Sequence, residues 1–316
     1  MNKVLYIILI SLFSLTIISC SSSSSDTKTT TDNTTTTSSP LFVAVGNSGT
    51  ILTSPDGTSW NSRTSGTSNG LQRVIYANST FVSVGDSGTI LTSSDGISWT
   101  SRTSGTTKTL YGITYGNSTF VTVGNSGTIL TSSDGTTWTS RTSGTTNDLW
   151  GDHYGNSLFL AVGNSGTILT SSDGTSWDNR TSGTSYGLHK VFYAYVNSKS
   201  IYMVAGDAGI FVTSSDGTTW NIKIPKTTEN QYGVYYVNGT TVIVGESGTI
   251  ISNDGSNWDN RTSGTTNRLY KVIYGNGTFV TVGLSGTILT STDNGTTWTS
   301  MTSGTTENLY GVTYKE

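Results

Sequence analysis

One stretch of twelve residues, GTILTSSDGTTW from Gly127 to Trp138, limits the fold more than any other feature, because close copies of it occur seven times. The others are GTILTSPDGTSW (49–60), GTILTSSDGISW (88–99), GTILTSSDGTSW (166–177), GIFVTSSDGTTW (209–220), GTIISNDGSNW (248–258) and GTILTSTDNGTTW (286–298). Their tryptophans, Trp60, Trp99, Trp138, Trp177, Trp220, Trp258 and Trp298, are separated by 39, 39, 39, 43, 38 and 40 residues. A fixed period of this length marks a repeat architecture, and it is the length of one four-stranded propeller blade with tight turns.

Each repeat reads as four short strands. In the third copy these are LYGITY (110–115), FVTVG (120–124), TILTS (128–132) and TTWTSRT (136–142), joined by GNST, NSG and SDG turns. No helix-period stretch follows residue 40. The repeats begin at LFVAVG (41–46), a second strand with no first strand before it, and finish at LYGVTY (309–314), a first strand with no second strand after it. The two halves are expected to complete one blade, which closes a seven-bladed all-β ring and removes two sheet edges. An open solenoid would have needed capping repeats.

The segment before the repeats is of another kind. Lys3 precedes an apolar run, Val4 to Ile18, which is short for a membrane span and of the right length for a secretory signal. It ends Ile17-Ser19-Cys20 with Ile18 between, similar to the lipobox of bacterial lipoproteins, and Cys20 is the chain's one cysteine. The expectation is a lipoprotein signal peptide at 1–19, and at 20–40 a lipidated Cys20 followed by a flexible Ser/Thr-rich tether with no large apolar side chain to bury. Random-coil scaling gives that tether a mean reach of roughly 25 Å. Residues 41–316 are then a propeller held in a bacterial cell envelope.

The stretch Ser291-Thr292-Asp293-Asn294-Gly295-Thr296-Thr297-Trp298 resembles the Asp-box of sialidases and related propellers. The other six copies lack the residue between Asp and Gly. Over residues 41–316 the repeat FVAVGNSGTILTSSDGTTW is similar to the propellers of the photosystem II stability and assembly factor family. That resemblance implies a propeller that works by binding. The residues themselves argue that the box is a turn device. Asp56, Asp95, Asp134, Asp173, Asp216, Asp254 and Asp293 are placed to accept backbone N–H bonds, the glycine supplies a positive φ, and the tryptophan packs on the sheet. One carboxylate per box is too few for a calcium loop.

Catalytic signals are weak. The resemblance to sialidases implies converging arginines and an Arg-Ile-Pro segment, but the nearest match is Lys223-Ile224-Pro225. Arg63, Arg102, Arg141, Arg180 and Arg261 share one repeat position, which spreads them around the ring. Asp152-His153 breaks the pattern where sister blades carry Ile113-Thr114 or Val312-Thr313, yet adjacent strand residues point to opposite faces. A further position is mostly aromatic: Gln72, Tyr111, Trp150, His189, Tyr232, Tyr270 and Tyr310. Such a ring suits stacking on a peptide or sugar, or packing between blades. No constellation converging on the channel mouth is legible.

Sixteen basic against nineteen acidic residues, net −3, imply no polyanionic partner, and no cofactor loop, metal spacing or nucleic-acid feature is present. The expected function is a monomeric, non-catalytic scaffold, assembly factor or surface adhesin. Its protein or glycan ligand sits on the face of the fourth-to-first strand connections, where the arginine set, Tyr111, Trp150, Tyr270 and Tyr310 are the candidate contacts. The alternative is a carbohydrate-active lectin or glycosidase.

Overall fold

Phe42, Val43, Ala44 and Val45 are all fully buried, although a strand with one covered face would alternate. Continuous burial means cover on both faces, and the second strand of every repeat shows it. The computed structural model describes residues 39–316 apart from 197–198, 224–226 and 255–256. The signal segment 1–19, Cys20, the tether as far as residue 38 and the Ile224-Pro225 pair lie outside the described residues.

The described residues form seven four-stranded antiparallel sheets. Blade 1 is Leu309–Lys315, Leu41–Gly46, Ile51–Ser54 and Asn61–Arg63; blade 2 opens at Leu71, blade 3 at Leu110, blade 4 at Leu149, blade 5 at Leu188, blade 6 at Gln231 and blade 7 at Leu269. Each first strand touches the first strand of the next blade, and that of blade 7 touches that of blade 1, so the ring is closed. Closure runs through the C-terminal strand, with Phe42 opposite Tyr314 and Ala44 opposite Val312. The chain is a seven-bladed propeller.

Its core lies between blades. One cluster joins Phe42, Ala44 and Leu52 of blade 1 to Val280 and Val282 of blade 7, with Trp60 packed against it. Within a blade three aromatics make a run: Tyr115 lies 4.5 Å from Phe120, which lies 6.5 Å from Trp138.

The fourth strand is shorter than expected, Thr139–Arg141 in place of 136–142. The Asp-box consumes the missing residues. Thr136 N–H and Thr137 N–H donate to Asp134 Oδ1 at 2.8 and 2.9 Å, and the Trp138 indole donates to Gly135 O at 3.1 Å. Ser132 Oγ, which donates to Asp134 Oδ1, also accepts the Gly135 N–H at 2.8 Å. In Asp56 the same bonds, the Thr58 backbone N–H foremost, lower the carboxyl to about 2. The same hydrogen bonding lowers the carboxyls of Asp95 and Asp293 to about 2.

The second-to-third turns and the fourth-to-first connections occupy one face. Asn47 N–H donates to Asn308 O at 2.8 Å, and Asn125 N–H to Thr109 O at 2.9 Å. The opposite face carries the Asp-boxes and two-residue hairpins such as Asn117-Ser118, both at positive φ as a type I′ turn requires.

Candidate functional site

The aromatic position owes its placement to a bulge. In blade 2 Leu71 pairs with Gly85 and Arg73 with Val84, so Gln72 is an extra residue in the ladder. The same shift falls at Trp150, His189, Tyr232, Tyr270 and Tyr310, and at Tyr111. A bulged residue is re-aimed out of the pleat. Here it stands at the first-strand entrance, beside the second-to-third turn of its own blade.

Side chains then bind ring to turn. Gln72 Nε2 donates to Asp86 Oδ1 at 3.0 Å, Tyr232 OH to Glu246 Oε2 at 2.9 Å and Tyr310 OH to Asn47 Oδ1 at 3.3 Å, while His189 Nε2 and Asp207 Oδ1 lie 2.6 Å apart. The rings also pack on one another: Trp150 on His189 at 4.8 Å, His189 on Tyr232 at 4.7 Å, Tyr232 on Tyr270 at 5.6 Å and Tyr270 on Tyr310 at 5.0 Å. Arg268 completes this arc. It donates to Glu246 Oε1 at 3.0 Å and stands over the Tyr232 and Tyr270 rings at 5.0 and 5.6 Å. Burial, and the Glu246 carboxylate that it donates to, push the Tyr232 phenol up to about 12. Tyr111 stands apart from the arc, its phenol raised by burial and by Asp148 and Asp86.

The arginine set occupies a second zone, on the outermost strands. Arg63, Arg102, Arg141 and Arg180 each donate from Nε to a threonine Oγ1 of the neighbouring strand at 2.8 Å, and Arg261 donates to Ser252 Oγ at 2.7 Å. One bond fixes the side chain and leaves the far nitrogens for other partners. Arg141 borders a shallow cleft of about 810 Å³ between the turn Ser126–Thr128 and the connection Ser143–Asn147, which places it on the face of the second-to-third turns. Arg180 and Arg261 pair with Asp178 and Asp259 at 3.0 and 3.2 Å. Among the described residues, Arg63, Arg102 and Arg141 make no such pair, so blades 1 to 3 present the cationic side of the rim.

Asp152 and His153 do stand beside the channel, and no hydrogen bond joins them. Asp152 takes the place held elsewhere by core residues such as Val74, Val191 and Val272. It is 1% exposed, and both its oxygens are buried without a partner. Burial raises its carboxyl pKa against the opposing pull of Lys190, Arg73 and Lys271. His153 packs on Phe192 at 5.0 Å and is held neutral by burial and by the two lysines.

The structure brings together in the channel residues that the sequence reading did not single out. Arg73, Lys190 and Lys271 come from one first-strand position in blades 2, 5 and 7 and line a single cavity with Asp152. A signal for them was present, since that position is otherwise Gly112, Gly151, Gly233 and Gly311. Among the described residues no group of His, Cys, Asp or Glu has the arrangement of a metal site, and no helix is long and apolar enough to cross a membrane.

No protein-family model and no curated protein matches the chain. Solved structures do resemble it. One, "YCF48 bound to D1 peptide", gives a TM-score of 0.63 at 18% identity, covering 78% of this chain and 86% of that one. Another, "YCF48 from Cyanidioschyzon merolae", gives 0.60 at 15% identity, covering 76% and 87%. At these identities the likeness is one of fold, and by fold the chain is a propeller similar to YCF48.

Proposed function

We propose that this propeller is a non-catalytic scaffold that binds an extended segment of a protein partner across the face of its second-to-third turns and fourth-to-first connections. One observation carries the reading: four of the seven ring residues, Gln72, His189, Tyr232 and Tyr310, are tied by hydrogen bonds to the turns of their own blades, so that part of the face is rigid before a partner arrives. The residues that vary between blades, such as Asp86, Asn125, Asp207, Glu246 and Leu284, lie on it. The rings lean on one another and so offer few free faces for a sugar, which favours a peptide over a glycan. The solved YCF48 complex, a neighbour in fold, has a peptide partner, and the repeats resemble those of an assembly-factor family.

Selection of displayed peptides on residues 41–316 tests this. Binders are expected to lose at least tenfold in affinity in Arg102→Glu/Arg141→Glu, with the melting temperature nearly unchanged, since exposed charges contribute little to stability. Affinity that survives this variant and fails when Asn117 and Ser118 are replaced would mean that the partner uses the opposite face.

The same proposal holds the propeller to a bacterial membrane through lipid on Cys20. Cys20→Ala is expected to move the protein from the membrane fraction to the soluble one, or to leave an uncleaved precursor. A processed Cys20→Ala protein that still sediments with membranes would place the anchor elsewhere.

A further inference from the structure

We propose that the central channel binds a small oxyanion carrying two negative charges, independently of the peptide on the outer face. The channel holds a cavity of about 430 Å³, against about 30 Å³ for one water in the liquid. A small organic dianion fits it. Three cations, Arg73, Lys190 and Lys271, and the carboxylates of Asp152 and Glu316 line it. The three cations and Asp152 sum to +2 when all are ionised, and Glu316 brings the lining to +1.

These charges are costly where they stand. Arg73 is 7% exposed and Lys190 4%, and a buried charge without a partner destabilises a fold by several kcal/mol. Arg73 Nε and Nη1 are buried with no hydrogen-bond partner, and so are both oxygens of Asp152. Lys190 Nζ donates to the backbone oxygen of Asp152 at 2.7 Å, and the Asp152 carboxylate is shared electrostatically by all three cations. The other four blades carry no charge at this position, where they have Gly112, Gly151, Gly233 and Gly311.

The backbone is shaped around the cations. A Cβ on Gly311 would lie 3.0 Å from the Cα of Arg73, one on Gly151 3.0 Å from that of Lys190, and one on Gly233 3.2 Å from that of Lys271. Each cation therefore follows a glycine in the preceding blade, where the first strands approach most closely. A Cβ on Gly112 would meet Asp152 Oδ1 at 2.7 Å, so that glycine makes room for the carboxylate. Three cations and one carboxylate from four blades thus line one cavity, the arrangement expected of a site that recognises a compact anion by charge-assisted hydrogen bonds.

Proton uptake should accompany binding. Burial and the neighbouring Arg73 lower the Lys190 pKa, burial and the same cations lower that of Lys271, and burial raises that of Asp152. The other titratable groups facing the cavity are His153, five tyrosines and Glu316. A bound anion raises the proton affinity of all three shifted groups. A protonated Asp152 can also donate to it. Affinity should therefore rise as pH falls from 8 to 6.

The test is calorimetric titration of the full-length protein in detergent, at low salt, with inorganic phosphate, succinate and acetate as probes. One saturable site is expected for phosphate or succinate, with acetate at least tenfold weaker and proton uptake visible as a dependence on buffer ionisation enthalpy. Preference for phosphate would point to a phosphate ester, and preference for succinate to a dicarboxylate. Arg73→Met and Lys271→Met should each weaken binding at least tenfold while the melting temperature holds or rises, because one of three like charges crowded around a single carboxylate has been removed. Lys199→Gln, on the hairpin face, should change neither. Absence of saturable binding by both dianions, or affinity unchanged in both methionine variants, would overturn the proposal. A drop in melting temperature in both variants without any change in affinity would make the cations structural and overturn it equally.

Discussion

Removal of residues 307–316 is expected to lower the melting temperature by about 10–20 °C or to leave the protein insoluble, while removal of 21–40 leaves it unchanged. The C-terminal strand brings Leu309 and Val312, 0% and 1% exposed, into blade 1. Burial of two such side chains contributes roughly 3–6 kcal/mol. The loss also uncovers Phe42, whose ring lies 4.6 Å from that of Tyr314. It exposes the hydrogen-bonding edge of Leu41–Gly46 and the flank of blade 2, since the C-terminal strand contacts both. A sum of about 5 kcal/mol equals the whole net stability of many domains, and in a chain of this size each kcal/mol moves the midpoint by about 2–4 °C. Residues 39 and 40, the first two described, are exposed. Differential scanning calorimetry of the two truncations decides the matter: coincident melts would show that the ring does not depend on this strand.

Gly127→Ala is expected to cost about 3–5 kcal/mol, more than the loss of any one Asp-box carboxylate. Gly127 has φ +68°, and a Cβ there would lie 2.0 Å from Thr145 O. Left-handed backbone costs alanine about 1–2 kcal/mol, and the clash with a carbonyl that belongs to the next connection adds the rest, because neither backbone can move without opening the face of the second-to-third turns. The same contact recurs at Gly49 with Thr67 and at Gly286 with Thr305. Ser126, its neighbour, also has positive φ, at 53°, but Ser126→Gly relieves strain and should be neutral or stabilising. Asp134→Ala removes two backbone acceptor contacts from an exposed turn and should cost about 1–2 kcal/mol. Urea unfolding of the three variants gives the order directly. Equal midpoints for Gly127→Ala and Ser126→Gly would refute the assignment of that turn as a rigid joint between connections.

What was readable beforehand follows from repetition. Seven copies of one strand pattern report burial seven times, so the strand count, the blade length and the half-blades at residues 41 and 314 are legible in the sequence. The fourth strand is shorter than its pattern implies because its first residues, Thr136 to Trp138, alternate like a strand while their N–H and indole groups bond to Asp134 and Gly135.

Tertiary structure decided the rest, for two physical reasons. A β-bulge is invisible in a hydrophobic pattern: it shifts one residue out of register and resets the alternation. That is why the aromatic position could be located along the chain while its direction, toward the second-to-third turn, could not. Convergence is likewise a property of closure. Arg73, Lys190 and Lys271 are separated by more than eighty residues from one to the next, and each taken alone is an ordinary polar substitution of glycine in a strand. Only when the seven first strands are bent into a ring do those positions point at a common axis, where burial turns three scattered cations and Asp152 into one charged site.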